Sequence, residues 1–530
     1  MSSAGHPKSR AELAERIRSI LASKQLTLHE ASQRSATLFG RSSPYYLPHN
    51  LYYDLAHGHF SPSLFQLFAF SRISGYRLRD WLLLFSFDIS SIPHLQILLP
   101  SKRTALLDSS LEDPNVRLPW FRSLGSGILP ADVTPLSQLL QWTQPQPARS
   151  LAEDKDDNVL YAKIGREDAM AFPEVLPGSI VRVNPAGKRE VFQQLTAHGS
   201  GRLSLIQHAR GFSCCHIRLA GQQRIATISS QLPYAQMEFR VPEEARVIGV
   251  VDLELRSLLD PQMPSIPKAL ARRWKPKLLA PDPARLGLLL RRARLEMGLS
   301  FRAAAALSRQ VADALRDARY FTASGSLSDY ETLDTPPRHV HKIFTFCAMY
   351  SLRLNAVFQA VGLSAEEAGQ EPIPDLLTAS AASAPGAAPA QVSENAPSGF
   401  MRGLLDEVGA VPLFLRRSLT TICGLRRVSL KDIFWIGGTD INVHPHLAGG
   451  ILAVVDRHRK RLNDCGSKLP WQQPLYVVLK RDGTYLCGCC SRENTGLVVH
   501  TYPGGVHKQE QFRNRDVEVI GKIVSIARKL

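Results

Sequence analysis

No apolar run in this sequence approaches the roughly 20 residues that a membrane-spanning helix needs; a stretch such as Trp81 to Phe85 is among the longest. The opening residues, MSSAGHPKSR, contain no apolar signal core. Cysteine is scarce, with 8 in 530 residues, and neither the pair Cys214-Cys215 nor the cluster Cys487, Cys489, Cys490 follows a secreted-scaffold spacing. These absences argue against a spanning helix and a disulfide-built core. They lead to the expectation of a soluble cytoplasmic protein with no membrane partner. Acidic charge is also short, at 47 Asp and Glu against 64 Lys and Arg, a net charge of +17. Such an excess favours anionic partners, nucleic acid above all, with a merely solvated basic surface as the ordinary alternative.

What is present is internal repetition. Shifted by 272 positions, residues 158 to 256 fall on 430 to 528 without a gap. Ile164-Gly165 meets Ile436-Gly437, Asp168 meets Asp440, Cys215 meets Cys487 and Gly249 meets Gly521. A second pair precedes these: at a shift of 273, Leu13, Ile17, Leu26, Thr27 and Ser35 meet Leu286, Leu290, Leu299, Ser300 and Ser308. After an insertion the shift becomes 276, pairing Leu51, Phe68 and Leu78 with Leu327, Phe344 and Leu354. A period of about half the chain implies a duplicated two-domain unit rather than a solenoid.

The texture of the chain gives the boundaries. Residues 10–88 and 284–364 carry helical periodicity, as in Leu13, Ile17 and Ile20. Residues 158–256 and 401–530 carry short β-like runs broken by Gly and Pro. Between these lie a connector at 89–157, a Pro-rich linker at 257–283 and an Ala/Pro/Ser-rich linker at 365–400 that buries too little to order itself. The expected class is α+β and multidomain, two all-α units alternating with two mostly-β units. Asp482-Gly483, between two β runs, predicts a tight hairpin, and Ala209-Arg210-Gly211 occupies the same place in the first copy.

In the helical units Thr27 and Ser300 are helix N-cap candidates, Thr27 with Glu30 three residues on. A Pro-containing segment and apolar helices follow a third short helix. With these features the unit resembles the Xre/lambda-repressor helix-turn-helix family. The resemblance implies that the second helix holds a phosphate at its N-terminus, at Thr27 and Ser300, and that the third enters the major groove. A third helix starting near Pro48 would place His49, Asn50 and Tyr53 on its leading turns, and Ser324, Ser326 and Ser328 hold that place in the second copy. Asn50 is the sharpest base reader, while Arg34, Arg41, Arg309 and Arg319 suit phosphate. Tyr45, Tyr46, Tyr52 and Tyr53 have a plainer reading as core or rim aromatics. The link between second and third helices, Arg41 to Pro48 or Asp317 to Ala323, is longer than the family's tight turn.

The segment from Asp168 through Leu176-Pro177-Gly178-Ser179 resembles the LexA and signal-peptidase-like β fold. The family's Ser nucleophile would stand at Ala169 in the first copy and Ile441 in the second, and its Lys base at His216 and Gly488. Neither half of the dyad is present in either copy, so the resemblance implies non-cleaving domains, not an enzyme, and no cofactor. Zinc at Cys487, Cys489 and Cys490 with Cys465 or His500 lacks a second C-x-x-C knuckle, and small buried thiols explain the pattern more simply. His444 and His446 read as a solvent-facing pair. Lys188-Arg189 and Arg457 to Arg461 sit in equivalent turns, either solvated or touching phosphate.

These readings converge on a bacterial transcriptional regulator of the Xre helix-turn-helix type fused to LexA-like domains. Its partner is double-stranded DNA, its β domains pair within the chain, and further pairing with a second copy is left open. The rival is a protein-interaction or ligand-sensing scaffold that has lost DNA recognition. A hydrolase using displaced residues ranks third.

Overall fold

The computed structural model describes residues 10–89, 91–108, 118–119, 133–135, 159–185, 202–221, 223–228, 237–259, 276–280, 283–364, 367–374, 410–411, 423–425, 428–436, 451–463, 470–493, 496–501 and 508–530. It is an α+β structure with helices and a large antiparallel sheet. The described residues fall into two compact units, one within Met1–Leu99, Ser110–Val116 and Asp282–Ala388, the other within Pro100–Ser109, Arg117–Pro281 and Pro389–Leu530. The first is helical and the second holds the sheet.

The helical unit contains α1 (Arg10–Ala22), α2 (Leu28–Phe39), α3 (Leu51–His57), α4 (Leu64–Ser74), α5 (Leu78–Leu84) and α6 (Ser91–Leu98). A second run follows: α7 (Leu286–Glu296), α8 (Phe301–Leu315), α9 (Ser324–Thr332), α10 (Val340–Tyr350) and α11 (Leu354–Ala360). Local sequence sets the starts. Thr27 and Ser63 each form a capping box, with Glu30 and Gln66, and Ser300 caps α8. One buried clamp recurs in both runs: the Ser35 hydroxyl accepts the Leu47 N–H at 3.0 Å, and the Ser308 hydroxyl accepts the Thr322 N–H at 3.0 Å. It fixes the segment that leads into the third helix.

α3 begins at Leu51, three residues after Pro48. Ser32 Oγ donates to the Leu47 carbonyl at 2.9 Å while Ser35 Oγ accepts the Leu47 N–H, which pins the chain just before Pro48. The first helical bond is Asp54 N–H to the Asn50 carbonyl, at 3.0 Å.

A single apolar core runs through both helical repeats, including Leu67, Phe70, Trp81, Ile92, Phe344 and Phe346. Each repeat sends the segment that follows its fifth helix onto the other. Gln96 on α6 donates to the Cys347 carbonyl of α10 at 2.9 Å. Reciprocally, the Arg77 N–H donates to the Glu371 carbonyl at 2.8 Å and the Ile373 N–H to Asp80 Oδ2 at 2.8 Å. The two segments share an Ile-Pro-x-Leu pattern in the sequence, Ile92 to Leu95 and Ile373 to Leu376, and Ile92 and Ile373 are both buried in this core. Residues 89–157, expected as a connector, thus supply a packed helix.

The sheet unit runs through β4 (Leu160–Lys163), β5 (Ile180–Asn184), β6 (Leu203–His208), β7 (Gly211–Gly221), β8 (Arg224–Ile228), β9 (Glu238–Arg240) and β10 (Ala245–Ser257). The second set is β12 (Ile433–Ile436), β13 (Ile451–Asp456), β14 (Tyr476–Lys480), β15 (Tyr485–Glu493), β16 (Gly496–Thr501), β17 (Lys508–Phe512) and β18 (Val517–Lys529). Short strands β1 (Ala105–Leu106) and β3 (Thr134–Pro135) pair with β4 and β12, and β2 (Leu118–Pro119) pairs with β11 (Ala410–Val411). The order β17-β16-β15-β14-β18-β10-β6-β7-β8-β9 reads the same from either end. Both expected hairpins form, at Ala209-Arg210 between β6 and β7 and at Arg481-Asp482-Gly483 between β14 and β15.

The two halves meet along β10 and β18. They pair antiparallel, with Leu255 opposite Ala527, Leu253 opposite Lys529 and Ser257 opposite Ser525. Leu255 and Ala527 are equivalents at the shift of 272, so a local two-fold axis passes between them. Bulges recur too: the one between Val247 and Gly249 on β10 matches that between Val519 and Gly521 on β18. Both glycines are required by close approach, since a Cβ would lie 2.5 Å from the Asn184 carbonyl or 2.4 Å from that of Asp456.

Beside this axis lies a buried ionic triad. Glu254 is fully buried, and Arg256 Nε and Nη2 donate to its two oxygens at 2.9 Å each. Arg528, the repeat equivalent of Arg256, donates its Nε–H to Glu254 Oε2 at 2.7 Å. Ser179 Oγ donates to Oε1 at 2.7 Å.

Candidate nucleic-acid interface

In the first helical repeat the third helix presents an exposed leading face. Asn50 is the exposed N-cap of α3 and its side chain makes no capping bond. Tyr53, one turn on, is 56 % exposed. His49 is exposed and packs edge-on against His29 of α2 at 4.9 Å, bringing the two helices' outer residues together. Tyr53 stacks on His57 at 4.0 Å. Arg34 and Arg41 are exposed on and just beyond α2. Tyr45, by contrast, stacks on Phe39 at 4.8 Å and meets Phe65 edge-on, as a core aromatic.

Thr27 sits where the phosphate contact was expected, with its helix end already satisfied by an internal anion. The Glu30 carboxylate accepts the Thr27 N–H at 2.7 Å and its hydroxyl at 2.9 Å. Those bonds, the backbone one first, hold Glu30 below the ordinary carboxylate range. A phosphate arriving there meets a carboxylate of like charge.

The second repeat differs at that point. Ser300 accepts the Ala303 N–H at 3.2 Å, and Ala303 stands where the first repeat has Glu30. The end of α8 carries no acid in its first turn and has exposed Arg302 instead. Its third helix, α9, exposes Ser324 and Ser326, while Ser328 is half-buried. Arg319 is exposed but engaged by Asp317, Nη2 to Oδ2 at 2.6 Å, which raises its pKa through the hydrogen bond. Its charge is met before any phosphate arrives. Arg309 lies 3.8 Å over the Phe321 ring and remains exposed.

The third helices are braced in different ways. In the first repeat buried Leu21 of α1 and Leu55 of α3 occupy positions taken in the second by Arg294 and Glu331. Those two form a bidentate pair at 2.6 and 2.8 Å between α7 and α9. Read along the chain, Arg294 passes for one more surface cation; the coupled change at both positions in the repeat alignment is the signal that reveals it.

The sheet unit contains the residues expected at the dyad positions. Ala169 is buried, 2 % exposed. Its neighbour Asp168 accepts from the Cys214 N–H at 2.9 Å and from Thr104 Oγ1 at 2.5 Å, tying this turn to β7. Burial pushes Asp168 up to about 6 against the pull of those bonds. His216, expected at the first base position, shares a 2.7 Å hydrogen bond with Glu174 Oε2. At Gly488 a Cβ would lie 2.5 Å from the His500 carbonyl, so the backbone leaves no room for a side chain there. Ile441, His444, His446, Lys188 and Arg189 lie outside the described residues.

Cys487 and Cys490 are buried free thiols, with burial pushing Cys490 up to about 12. Cys489 departs from the expected pattern, because it is disulfide-bonded. Among the described residues no group of three or more His, Cys, Asp or Glu is arranged to hold a metal. No described helix is long and apolar enough to cross a membrane. No protein family, curated protein or solved structure matches the chain.

Proposed function

We propose that the chain is a sequence-specific double-stranded DNA-binding transcriptional regulator, cytoplasmic and acting as a fused pseudo-dimer of Xre/LexA-like halves without self-cleavage. The observation that carries this reading is the β10–β18 register, in which Leu255 faces its own repeat equivalent Ala527. A homodimer paired across a two-fold axis has this register, and here both halves belong to one polypeptide. The exposed leading residues of α3 and α9 support a pair of groove-reading heads: His49, Asn50 and Tyr53 in one, Ser324 and Ser326 in the other. Because these sets differ chemically, the two half-sites are unlike.

The electrostatics refine the roles. Ser300 with Arg302 forms the better phosphate clamp, since oriented helix N–H groups and a cation act together there, and Arg309, more than two turns on, is a separate phosphate contact. The first head relies on Asn50 for an adenine edge and on Arg34 and Arg41 for phosphate. A second reading, a ligand-sensing or interaction scaffold, draws support from Glu30 at one phosphate position and Asp317 against Arg319 at the other.

Fluorescence polarisation with a randomised duplex pool at two salt concentrations separates the two. A regulator binds at low salt and loses affinity steeply as salt rises, because each neutralised phosphate releases counterions. A scaffold of net charge +17 binds the pool, if at all, without enriching any sequence and releases it as salt rises, whereas a regulator enriches and retains a preferred duplex.

A further inference from the structure

A cavity of about 220 Å³ opens on the seam between the two helical repeats. Its walls are mostly apolar: Phe68 and Leu82 from the first repeat, and Leu354, Phe358 and Leu363 from the second, all buried. Five polar residues share the lining, Arg77, Arg79, Asn355, Ser364 and Gln370, and Arg79 on α5 stands apart among them. It is half-buried on the cavity wall and makes no hydrogen bond or ion pair among the described residues. The adjacent Arg77 is engaged, its Nε–H donating to the Gln370 carbonyl at 2.9 Å. At the repeat equivalent of Arg79 stands Asn355, so the second repeat supplies no matching cation.

A guanidinium half-buried beside apolar walls has lost part of its hydration without gaining a counter-charge. A carboxylate supplies both the charge and two acceptors matched to the guanidinium fork. The volume sets the size of what carries it. An apolar cavity of roughly 150 Å³ takes benzene, so this one takes about nine heavy atoms.

We propose that the seam cavity is a binding site for a small amphipathic carboxylate, an aromatic or medium-chain aliphatic acid, with its carboxylate on Arg79 and its apolar body between Leu82 and Phe358. The walls come from both repeats, so occupancy braces one repeat against the other. The site stands independently of DNA binding by the same chain.

Calorimetric titration of the full-length protein with benzoate and octanoate tests it, with benzamide and octanol as uncharged counterparts. At least one acid binds saturably at one site per chain, and its uncharged counterpart binds about 10-fold more weakly or worse. Arg79→Gln weakens the acid by about 10-fold or more, and Arg79→Lys restores part of that loss. Leu82→Phe, which introduces the residue that the other repeat carries as Phe358, fills the cavity and abolishes binding. The proposal is overturned by acid and uncharged counterpart binding equally, by Arg79→Gln leaving affinity unchanged, or by no saturable binding of either acid. If Leu82→Phe melts below the wild type, the Arg79 series decides alone.

Discussion

Replacing Glu254 by Gln should reveal how much the two-fold seam of the sheet depends on its ionic triad. Burial by itself would raise the Glu254 pKa, but Arg256 and Arg528 outweigh it and hold the carboxyl at about 2, against an ordinary 4.5. The difference corresponds to about 3 kcal/mol favouring the folded state when the group is ionised. Since the folded pKa is depressed, this stability is present above about pH 4.5 and is lost as pH falls towards 2. Removing the charge also strands two buried guanidinium groups, which brings the expected cost at neutral pH to about 3–5 kcal/mol. The assay is urea unfolding, with hydrogen exchange on β10 and β18 peptides, for wild type and Glu254→Gln between pH 7 and pH 2. Comparing the two proteins cancels Asp168 and His208, whose shifts in opposite directions also make stability pH-dependent. The gap should be widest at neutral pH and close on acidification. Replacing all three residues with apolar ones of similar volume should recover much of the loss. A gap below about 1 kcal/mol at pH 7, or one independent of pH, would refute the reasoning.

Other consequences are open to direct measurement. Arg294→Ala leaves Glu331 buried and unpaired and should cost about 3–5 kcal/mol in the helical unit, whereas the double change to Leu, copying Leu21 and Leu55 of the first repeat, should recover most of it; a double-mutant cycle with no coupling would contradict this. Asn50→Ala should weaken DNA binding by about 1–3 kcal/mol and relax selection at one half-site only, while Arg302→Ala should weaken all duplexes alike and flatten the salt dependence; selection from a randomised pool separates the two outcomes. Burial pushes the Cys214 and Cys215 thiols well above their usual range, so in the native protein they should resist a thiol reagent at pH 8 and react on unfolding; rapid native labelling at either would disprove their burial.

The elements follow legible local rules, and the contacts between them do not. The capping pattern at Thr27 and Glu30 and the Asp-Gly turn at 482–483 are readable because each is decided within four residues. The start of α3 is not, because the chain before it is pinned at Leu47 by Ser32 and Ser35, 15 and 12 residues away. The triad is half legible: Glu254 and Arg256, two apart on a strand, share a face, but nothing local names Arg528, 274 residues on. Among the candidate interface residues, Asn50 and Tyr53 could be placed by spacing. The neutralisation of Arg319 by Asp317 needed side-chain geometry. The seam segments share Ile-Pro-x-Leu, at 92–95 and 373–376, but an insertion moves the shift from 276 to 281, so a search at the earlier shift passes over them.

The most direct test is the stoichiometry of full-length protein on its preferred duplex, selected from a randomised pool and weighed intact by native mass spectrometry alongside a footprint. One chain per duplex is predicted, protecting two unlike major-groove segments about one helical turn or a multiple apart. Two chains on a symmetric palindrome, or no duplex retained at low salt, would contradict it.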